Sequence, residues 1–366
     1  MSVTSYINDF LDNYKNYKDY WNYEDGCVLM GCRQLYEATG EKKYRDFILN
    51  YLDKLIDENG IITNYETGKH NIDSFNSGKV LFFAYRETGE ERYKKAVEFL
   101  MKNLREQPRT KSGSFIHKAI YPDQVWLDGL YMAQPFYMEY ETLFNKKENY
   151  GDILKQFGNV RKYMYDPDKR LCYHGYDEAR LRPWADKETG LSPNFWLRSM
   201  GWYLMAMIDT IDNMSQEIYE SYRELCGQFK EALDGILQYR DEKTNLFWQV
   251  IDHPEAKGNY TETSGSSMVA YSVMKAARME VISTEKYGEL GIKIFDSIVS
   301  EKLLTENGKE HLTDICRVAG LGPGKERDGS VEYYISEVGV SDDSKGVGPF
   351  MMAYAQKLML NNIKRS

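Results

Sequence analysis

Cysteine, histidine and positive charge are all scarce in this sequence, and each shortage excludes a class of protein. The five cysteines among 366 residues are scattered and form no CxxC pair, which argues against a disulfide scaffold and favours free thiols in a reducing compartment. The five histidines lie far apart and no phosphate-binding loop is present, so we expect no metal and no other cofactor. A formal net charge of −9 is unlike the basic surface of a nucleic-acid-binding protein.

Long apolar runs are also missing. No segment approaches the length of a transmembrane span, and residues 1–10 have neither the basic region nor the apolar stretch of a signal peptide. We therefore expect a soluble, cytoplasmic protein that binds neither nucleic acid nor membrane. What the chain has in quantity is tyrosine, with 30 copies beside six tryptophans. Such rings pack against aliphatic neighbours and leave a polar edge for a ligand.

One nine-residue pattern occurs twice in the first hundred residues. Residues 36–44 read YEATGEKKY and residues 85–93 read YRETGEERY, and each copy lies between two stretches of helical periodicity. Gly40 and Gly89 therefore fit the position just after a helix, where glycine accepts a left-handed conformation. A spacing of roughly 50 residues with helical patterning is typical of repeated helical hairpins.

Segments rich in apolar and small residues begin near six glycines. These glycines are Gly26, Gly78, Gly129, Gly201, Gly265 and Gly348. Short turn-plus-strand patterns lie between several of them, at 59–64, 112–117, 169–174 and 244–249. We predict an all-α fold, a closed (α/α)6 barrel of six helical hairpins with short strand pieces at one rim, with an open solenoid as the alternative. No linker divides the chain, so we expect one barrel domain over residues 1–366.

The segment 121–132, which reads YPDQVWLDGLYM, is the strongest candidate for catalysis. It places Asp128 between aromatic residues and a glycine at the entrance of a predicted helix, although an aspartate there also suits a helix cap. Asp73 precedes the neighbouring inner helix, where a cap or turn role is the alternative. Two nearby carboxylates push their pKa values apart, leaving one protonated as an acid. Such a pair is the minimum set for glycoside chemistry.

Other polar and aromatic residues precede the inner helices. His117 and His174 both end short predicted strands, where each could orient a carboxylate or hold a sugar hydroxyl, with a buried structural histidine as the alternative. Arg198 lies between Trp196 and Trp202. It offers a planar fork for a carboxylate, unless it packs on the rings as a cation–π pair.

Four motifs in order resemble a known family. VWLDGLYM at 125–132, YHGYDE at 173–178, FWLRSMGW at 195–202 and TSGS at 263–266 are similar to those of the unsaturated rhamnogalacturonyl hydrolases. These are bacterial glycoside hydrolases with a six-hairpin barrel, related to the unsaturated glucuronyl hydrolases. Each motif is short, but their order and spacing are specific, and the similarity runs from Trp21 to about Phe350.

The resemblance implies an unusual reaction on a pectin fragment. The substrate is an unsaturated uronyl-rhamnose disaccharide or a short pectin oligosaccharide, and the enzyme hydrates its C4=C5 vinyl ether without attacking the anomeric carbon. By resemblance, Asp128 protonates C4 and then acts as base, with no cofactor. The other residues that the resemblance places around the unsaturated sugar are Asp73, His174 and Arg198, completed by Tyr23, His117, Trp126, Trp196 and Trp202.

One residue departs from the family pattern. Some relatives have a histidine in the last motif where this chain has Lys345, in DDSKGVG at 342–348. A cation there could meet an anionic or polar end of the substrate, so Lys345 bears on the leaving-group side of the pocket.

Other functions remain open from sequence. Within the fold they are an unsaturated glucuronyl hydrolase acting on glycosaminoglycan fragments, an inverting glucan hydrolase that uses Asp73 and Asp128, and a sugar epimerase. From a different class, the chain could be a non-catalytic carbohydrate-binding helical scaffold. A barrel prenyltransferase is disfavoured because no zinc-ligand set is visible. The sequence predicts no oligomeric state.

Overall fold

Inner and outer helices alternate along the chain. The computed structural model describes residues 2–324 and 326–365, and within them six helices form an inner ring. The inner helices are α2 (Tyr23–Thr39), α4 (Lys79–Thr88), α6 (Leu127–Leu143), α8 (Leu197–Asn213), α10 (Thr263–Arg278) and α13 (Ser344–Arg365). The outer helices are α1 (Val3–Asp12), α3 (Lys42–Leu55), α5 (Glu91–Arg105), α7 (Tyr150–Tyr163), α9 (Tyr219–Leu237) and α11 (Thr284–Lys302).

The inner ring is closed. Going round it, α2 packs on α4, α4 on α6, α6 on α8, α8 on α10, α10 on α13, and α13 back on α2. Helices of this ring are buried on nearly all sides, as in α10, whereas outer helices such as α5 bury one face. The closed (α/α)6 barrel is therefore confirmed, and the open solenoid is wrong.

The sixth hairpin joins the two ends of the chain. On the outside of α13 lies α1, where the Tyr6 ring meets Phe350 edge-on at a centroid distance of 6.0 Å. The Thr4 and Tyr354 hydroxyls are 2.9 Å apart. The first helix therefore serves as the outer partner of the last one.

The repeated pattern ends helices as predicted. Gly40 and Gly89 follow α2 and α4 with φ angles of 70° and 73°. Their N–H groups donate to the carbonyls of Tyr36 and Tyr85, which satisfies backbone acceptors at the helix ends.

Small antiparallel sheets occupy the loops. In the described part of the chain they pair β1 (Gln124–Trp126) with β4 (Gly175–Asp177), β2 (Tyr165–Asp166) with β3 (Leu171–Cys172), β5 (Leu303–Glu306) with β6 (Lys309–Leu312), and β7 (Ile315–Cys316) with β8 (Gly339–Val340). A 3-10 helix spans Ile72–Phe75, and the short helix α12 spans Val331–Ser336. Of the four predicted strand segments, all within the described residues, 169–174 holds strand β3. The segments at 59–64, 112–117 and 244–249 take part only in the isolated bridges Ile56–Ile62, Arg109–Phe115 and Trp248–Thr261.

The five cysteines are free and buried. No helix within residues 2–324 and 326–365 is long and apolar enough to cross a membrane.

Candidate active site

Asp128 lies in the first turn of α6, directly after strand β1. The N-cap residue is Trp126, which makes no side-chain capping bond, so the capping interpretation of Asp128 is wrong. Strand β1 pairs with β4, with Trp126 opposite Gly175. The N–H of Leu127 then donates to the carbonyl of His174 at 3.1 Å. The backbone thus holds His174 beside the entrance of α6.

The Asp128 carboxyl faces the His174 ring. Nε2 of His174 lies 3.4 Å from Oδ2 of Asp128, and both atoms are buried without a hydrogen bond from the residues that the structure describes. The side chain of His174 is fully buried, and that of Asp128 is 14% exposed. Long contacts of this kind are common in empty active sites and shorten when substrate binds.

Asp73 lies within the 3-10 helix and is held by a cation. Nζ of Lys118 is 2.7 Å from Oδ2 of Asp73, and Nε2 of His117 is 3.4 Å from Oδ1. Burial alone would raise the pKa of Asp73, but the charge and hydrogen bond of Lys118, together with His117 and Lys18, outweigh burial, and the pKa lies below its usual value. Burial also lowers the pKa of His117 to about 4. At neutral pH, Asp73 is therefore an anion and His117 a neutral imidazole.

Trp126 lies at the centre of an aromatic group at this rim. Its ring stacks on His117 at 4.4 Å and on Tyr121 at 5.2 Å, and meets His174 edge-on at 5.5 Å. The indole N–H donates to Oε1 of Gln124 at 3.1 Å. Both histidines therefore contact the same tryptophan, which brings the surroundings of Asp73 and Asp128 together.

Arg198 is buried in the first turn of α8. One guanidinium nitrogen donates to Oγ of Ser264 at 3.3 Å, and the group lies 5.0 Å from the Trp196 ring centre. The Trp196 indole in turn donates to Oε1 of Gln249 at 3.2 Å. Arg198 therefore packs on the ring and still carries N–H donors beyond the one that Ser264 accepts. The cation–π interpretation of Arg198 describes this packing, and the carboxylate fork stays a prediction.

Tyr23 is the first residue of α2. Burial raises the pKa of Tyr23 well above its usual value, the charges of Glu24 and Asp73 raise it further, and that of Arg198 opposes them. Tyr23 therefore feels the charges of both Asp73 and Arg198.

Trp202 and Lys345 contact residues other than Asp73 and Asp128 in the described part of the chain. Trp202 stacks on Tyr131 at 4.7 Å within the barrel core. The ammonium of Lys345, at the start of α13, is 2.8 Å from a carboxylate oxygen of Asp343 and 3.0 Å from the Tyr17 hydroxyl. Its charge is thus neutralised by a neighbouring residue of the same loop.

Two side chains in contact with these groups had no signal in the sequence. Lys118 directly follows His117, and in a regular strand the two would point to opposite faces. The chain bends at His117 and is not a regular strand there, so both side chains reach Asp73. Tyr334 lies on α12, and its hydroxyl is 2.7 Å from Nδ1 of His174. No local pattern predicts a contact between residues so far apart along the chain.

The site combines one carboxylate paired with a lysine, one carboxyl that faces a histidine ring, and a buried arginine. Such a set can bind an anionic sugar, donate a proton and take one back. No group of three or more His, Cys, Asp or Glu side chains in the described residues is placed to hold a metal ion.

Comparison with known proteins places this arrangement in a family. The model of Glycosyl Hydrolase Family 88 matches residues 3–361. A solved structure of a family 105 glycoside hydrolase from C. acetobutylicum ATCC 824 is 41% identical with a TM-score of 0.92, covering 98% of this chain and 99% of that chain. The 24.9 kDa protein in the picA locus of Rhizobium radiobacter is 39% identical over 240 residues, which are 63% of this chain and 99% of that protein. The unsaturated rhamnogalacturonyl hydrolase YesR of Bacillus subtilis (strain 168) is 24% identical over 283 residues, covering 76% of this chain and 77% of YesR.

Proposed function

This chain belongs to Glycosyl Hydrolase Family 88, and from that premise we propose that it hydrates the C4=C5 double bond of unsaturated galacturonic acid at the end of lyase-generated rhamnogalacturonan oligosaccharides. The name of its relative YesR supports this substrate class. The observation that carries the proposal is the contrast between Asp73, which is paired with Lys118, and Asp128, which faces His174.

In the proposed reaction Asp128 is first the acid and then the base. Its carboxyl proton goes to C4, and positive charge develops at C5 and the ring oxygen. Water adds at C5, and its proton passes to the Asp128 carboxylate, which restores the starting state. The hemiketal at C5 then opens to a ketone, and the hemiacetal left at C1 expels the next sugar as an alcohol.

Asp73 stays ionised through this cycle in our proposal. The Lys118 ammonium at 2.7 Å favours the carboxylate, so Asp73 is suited to balance the positive charge near C5. Neutral His117 can donate through Nε2 to Asp73 and holds that carboxylate against Trp126.

Arg198 is the proposed partner of the substrate carboxylate. It is buried, so its interaction with an anion is weakly screened by water, and the Trp196 ring lies against the guanidinium. Tyr23, whose pKa responds to the charges of Arg198 and Asp73, completes the wall around the unsaturated ring in our proposal, together with Trp126 and Trp202.

In our proposal Lys345 lies on the side of the pocket that holds the leaving sugar. Because Asp343 neutralises its ammonium, we propose that this part of the rim presents hydrogen-bonding groups without net charge. A neutral leaving sugar such as rhamnose suits that surface better than an anionic one.

The test uses the unsaturated rhamnogalacturonan disaccharide and follows the loss of double-bond ultraviolet absorbance. We expect turnover by the wild type and incorporation of solvent deuterium at C4. Asp128→Asn should lower kcat by at least about 100-fold, the range that general acid–base catalysis supplies, while substrate affinity is kept. Asp168→Asn, at an exposed loop position, is the control and should leave kcat unchanged.

Parallel substrates separate the competing functions. Faster turnover of an unsaturated glucuronyl disaccharide from a glycosaminoglycan would assign the other uronate specificity. Release of reducing sugar from a saturated oligosaccharide would indicate ordinary glycosidic cleavage. Binding of the disaccharide with no loss of absorbance would overturn catalysis altogether and favour a carbohydrate-binding scaffold.

A further inference from the structure

Both nitrogens of the His174 ring face residues from distant parts of the chain. Nδ1 lies 2.7 Å from the Tyr334 hydroxyl, and Nε2 lies 3.4 Å from Oδ2 of Asp128. The ring is fully buried, with Trp196 at 4.8 Å and Trp126 at 5.5 Å on its sides. It therefore has little freedom to rotate or to exchange partners with water.

In the described part of the chain, the hydroxyl of Tyr334 has one hydrogen-bond acceptor. Burial raises the pKa of Tyr334 well above its usual value, so the phenol stays protonated. Among the described residues, Nδ1 of His174 is the hydrogen-bond partner of this hydroxyl. A buried donor without an acceptor is costly, which favours donation from the hydroxyl to Nδ1. A neutral imidazole that accepts at Nδ1 carries its proton on Nε2.

We propose that Tyr334 is a positioning residue of the active site, which acts by donating to Nδ1 of His174 and so keeping the imidazole proton on Nε2, where it faces Asp128. The role of Tyr334 in catalysis rests on the proposed function. The structural part of the proposal, the position of one proton, stands independently of the substrate.

The consequence for catalysis concerns the carboxylate that forms after proton transfer. When Asp128 has lost its proton, an Nε2–H can donate to Oδ2 and stabilise the anion. Oδ2 is buried, so the other oxygen of the carboxyl is left to meet the substrate. With the proton on Nδ1 instead, a lone pair would face the new carboxylate and repel it.

Tyr334 is itself held firmly. Its ring stacks on Trp196, nearly parallel at 10° and 6.1 Å. The Nε2 amide of Gln249 donates to the Tyr334 carbonyl at 3.3 Å, while Oε1 of the same glutamine accepts from the Trp196 indole. These contacts fix the hydroxyl at the distance that the His174 bond requires.

The test combines kinetics with 15N spectra of histidine-labelled protein. Tyr334→Phe keeps the ring and removes the hydroxyl, and we expect kcat to fall about 10- to 100-fold while KM stays within about twofold. Tyr333→Phe is the matched control, because that neighbouring hydroxyl accepts from Gly320 at 3.0 Å and does not reach His174. Its kcat should stay within about twofold of wild type.

The spectra report the proton directly. With the His174 signals assigned through their loss in His174→Gln, the wild type should show a protonated Nε2 and an unprotonated Nδ1, and Tyr334→Phe should shift the proton toward Nδ1. A wild-type proton on Nδ1, an unchanged kcat in Tyr334→Phe, or an effect on KM alone would overturn the proposal. If the wild type turns over no unsaturated substrate, the proposed function fails, and the spectra still decide where the proton lies.

Discussion

Asp73 and Asp128 have the same side chain, but their neighbours give the two carboxyl groups different electrostatic surroundings. Asp73 contacts an ammonium at 2.7 Å, whereas the nearest charged or titratable partner recorded for Asp128 is the His174 ring at 3.4 Å. A carboxylate next to a fixed cation resists protonation, and among the described residues no lysine or arginine lies within ion-pair distance of Asp128. This difference supports Asp128 as the acid of the proposed reaction.

The burial of His117 should make the free energy of unfolding of the whole protein depend on pH. Burial lowers the pKa of His117 to about 4, against about 6.5 for an exposed histidine. Between these values the unfolded chain takes up a proton that the folded protein does not. The free energy of unfolding should therefore fall by about 3 kcal/mol as pH drops from about 6.5 to about 4. Urea denaturation at closely spaced pH values measures this loss.

His117→Gln should remove most of that dependence, because an amide does not titrate there. His253→Gln replaces a histidine that is 36% exposed and should leave the wild-type dependence in place. Equal pH dependence in all three proteins would show that His117 titrates as an exposed group, contrary to its burial under Trp126.

At the scale of an element, the N-terminus of α10 depends on one carboxylate. Glu262 is the N-cap, and its oxygens accept from the N–H groups of Ser264 and Gly265, from the Ser264 hydroxyl at 2.6 Å and from the Cys316 N–H at 2.9 Å. Ser264 is also the partner of Arg198. A single buried residue therefore caps the helix, ties it to β7 and positions the arginine.

Glu262→Ala should lower the free energy of unfolding by roughly 3 kcal/mol or more, since several buried donors lose their acceptor together. Ser283→Ala is the matched control. Ser283 caps the outer helix α11 with a single bond to the Lys286 N–H, and its loss should cost about 1 kcal/mol. Urea denaturation of both variants at pH 7 gives the comparison, and equal losses would contradict the joint role of Glu262.

The helices could be predicted from sequence more fully than the contacts between them. Gly40 and Gly89 end helices because left-handed backbone after a helix is a local requirement, and local requirements are visible in a short window of sequence. Tyr334 could not be predicted in this way, because its partner His174 belongs to another hairpin and the two meet only when the ring closes. For Lys118, the direction of the side chain depends on a bend of the chain at His117, which the alternation expected of a strand does not predict.

The whole molecule depends on contact between the last inner helix and the first. Gly348 of α13 lies against the backbone of α2, where a Cβ atom would come within 2.4 Å of the carbonyl oxygen of Cys27. Backbone atoms cannot rotate aside as a flexible side chain can. The ring therefore closes at this point only if residue 348 has no side chain, and closure is what brings the rim residues of α2 and α13 to a common site.

Gly348→Ala and Gly227→Ala should accordingly change stability in opposite directions. In Gly348→Ala the two helices must separate, which we expect to lower the free energy of unfolding by about 2 kcal/mol or more. Gly227 lies on the exposed face of the outer helix α9, where nothing lies within 4 Å of an added Cβ. Alanine there gains helix propensity and should stabilise by up to about 1 kcal/mol. Thermal and urea denaturation of both variants make the test. Equal stability of the two would mean that α13 can move away from α2 at little cost, so that backbone contact does not hold the ring closed.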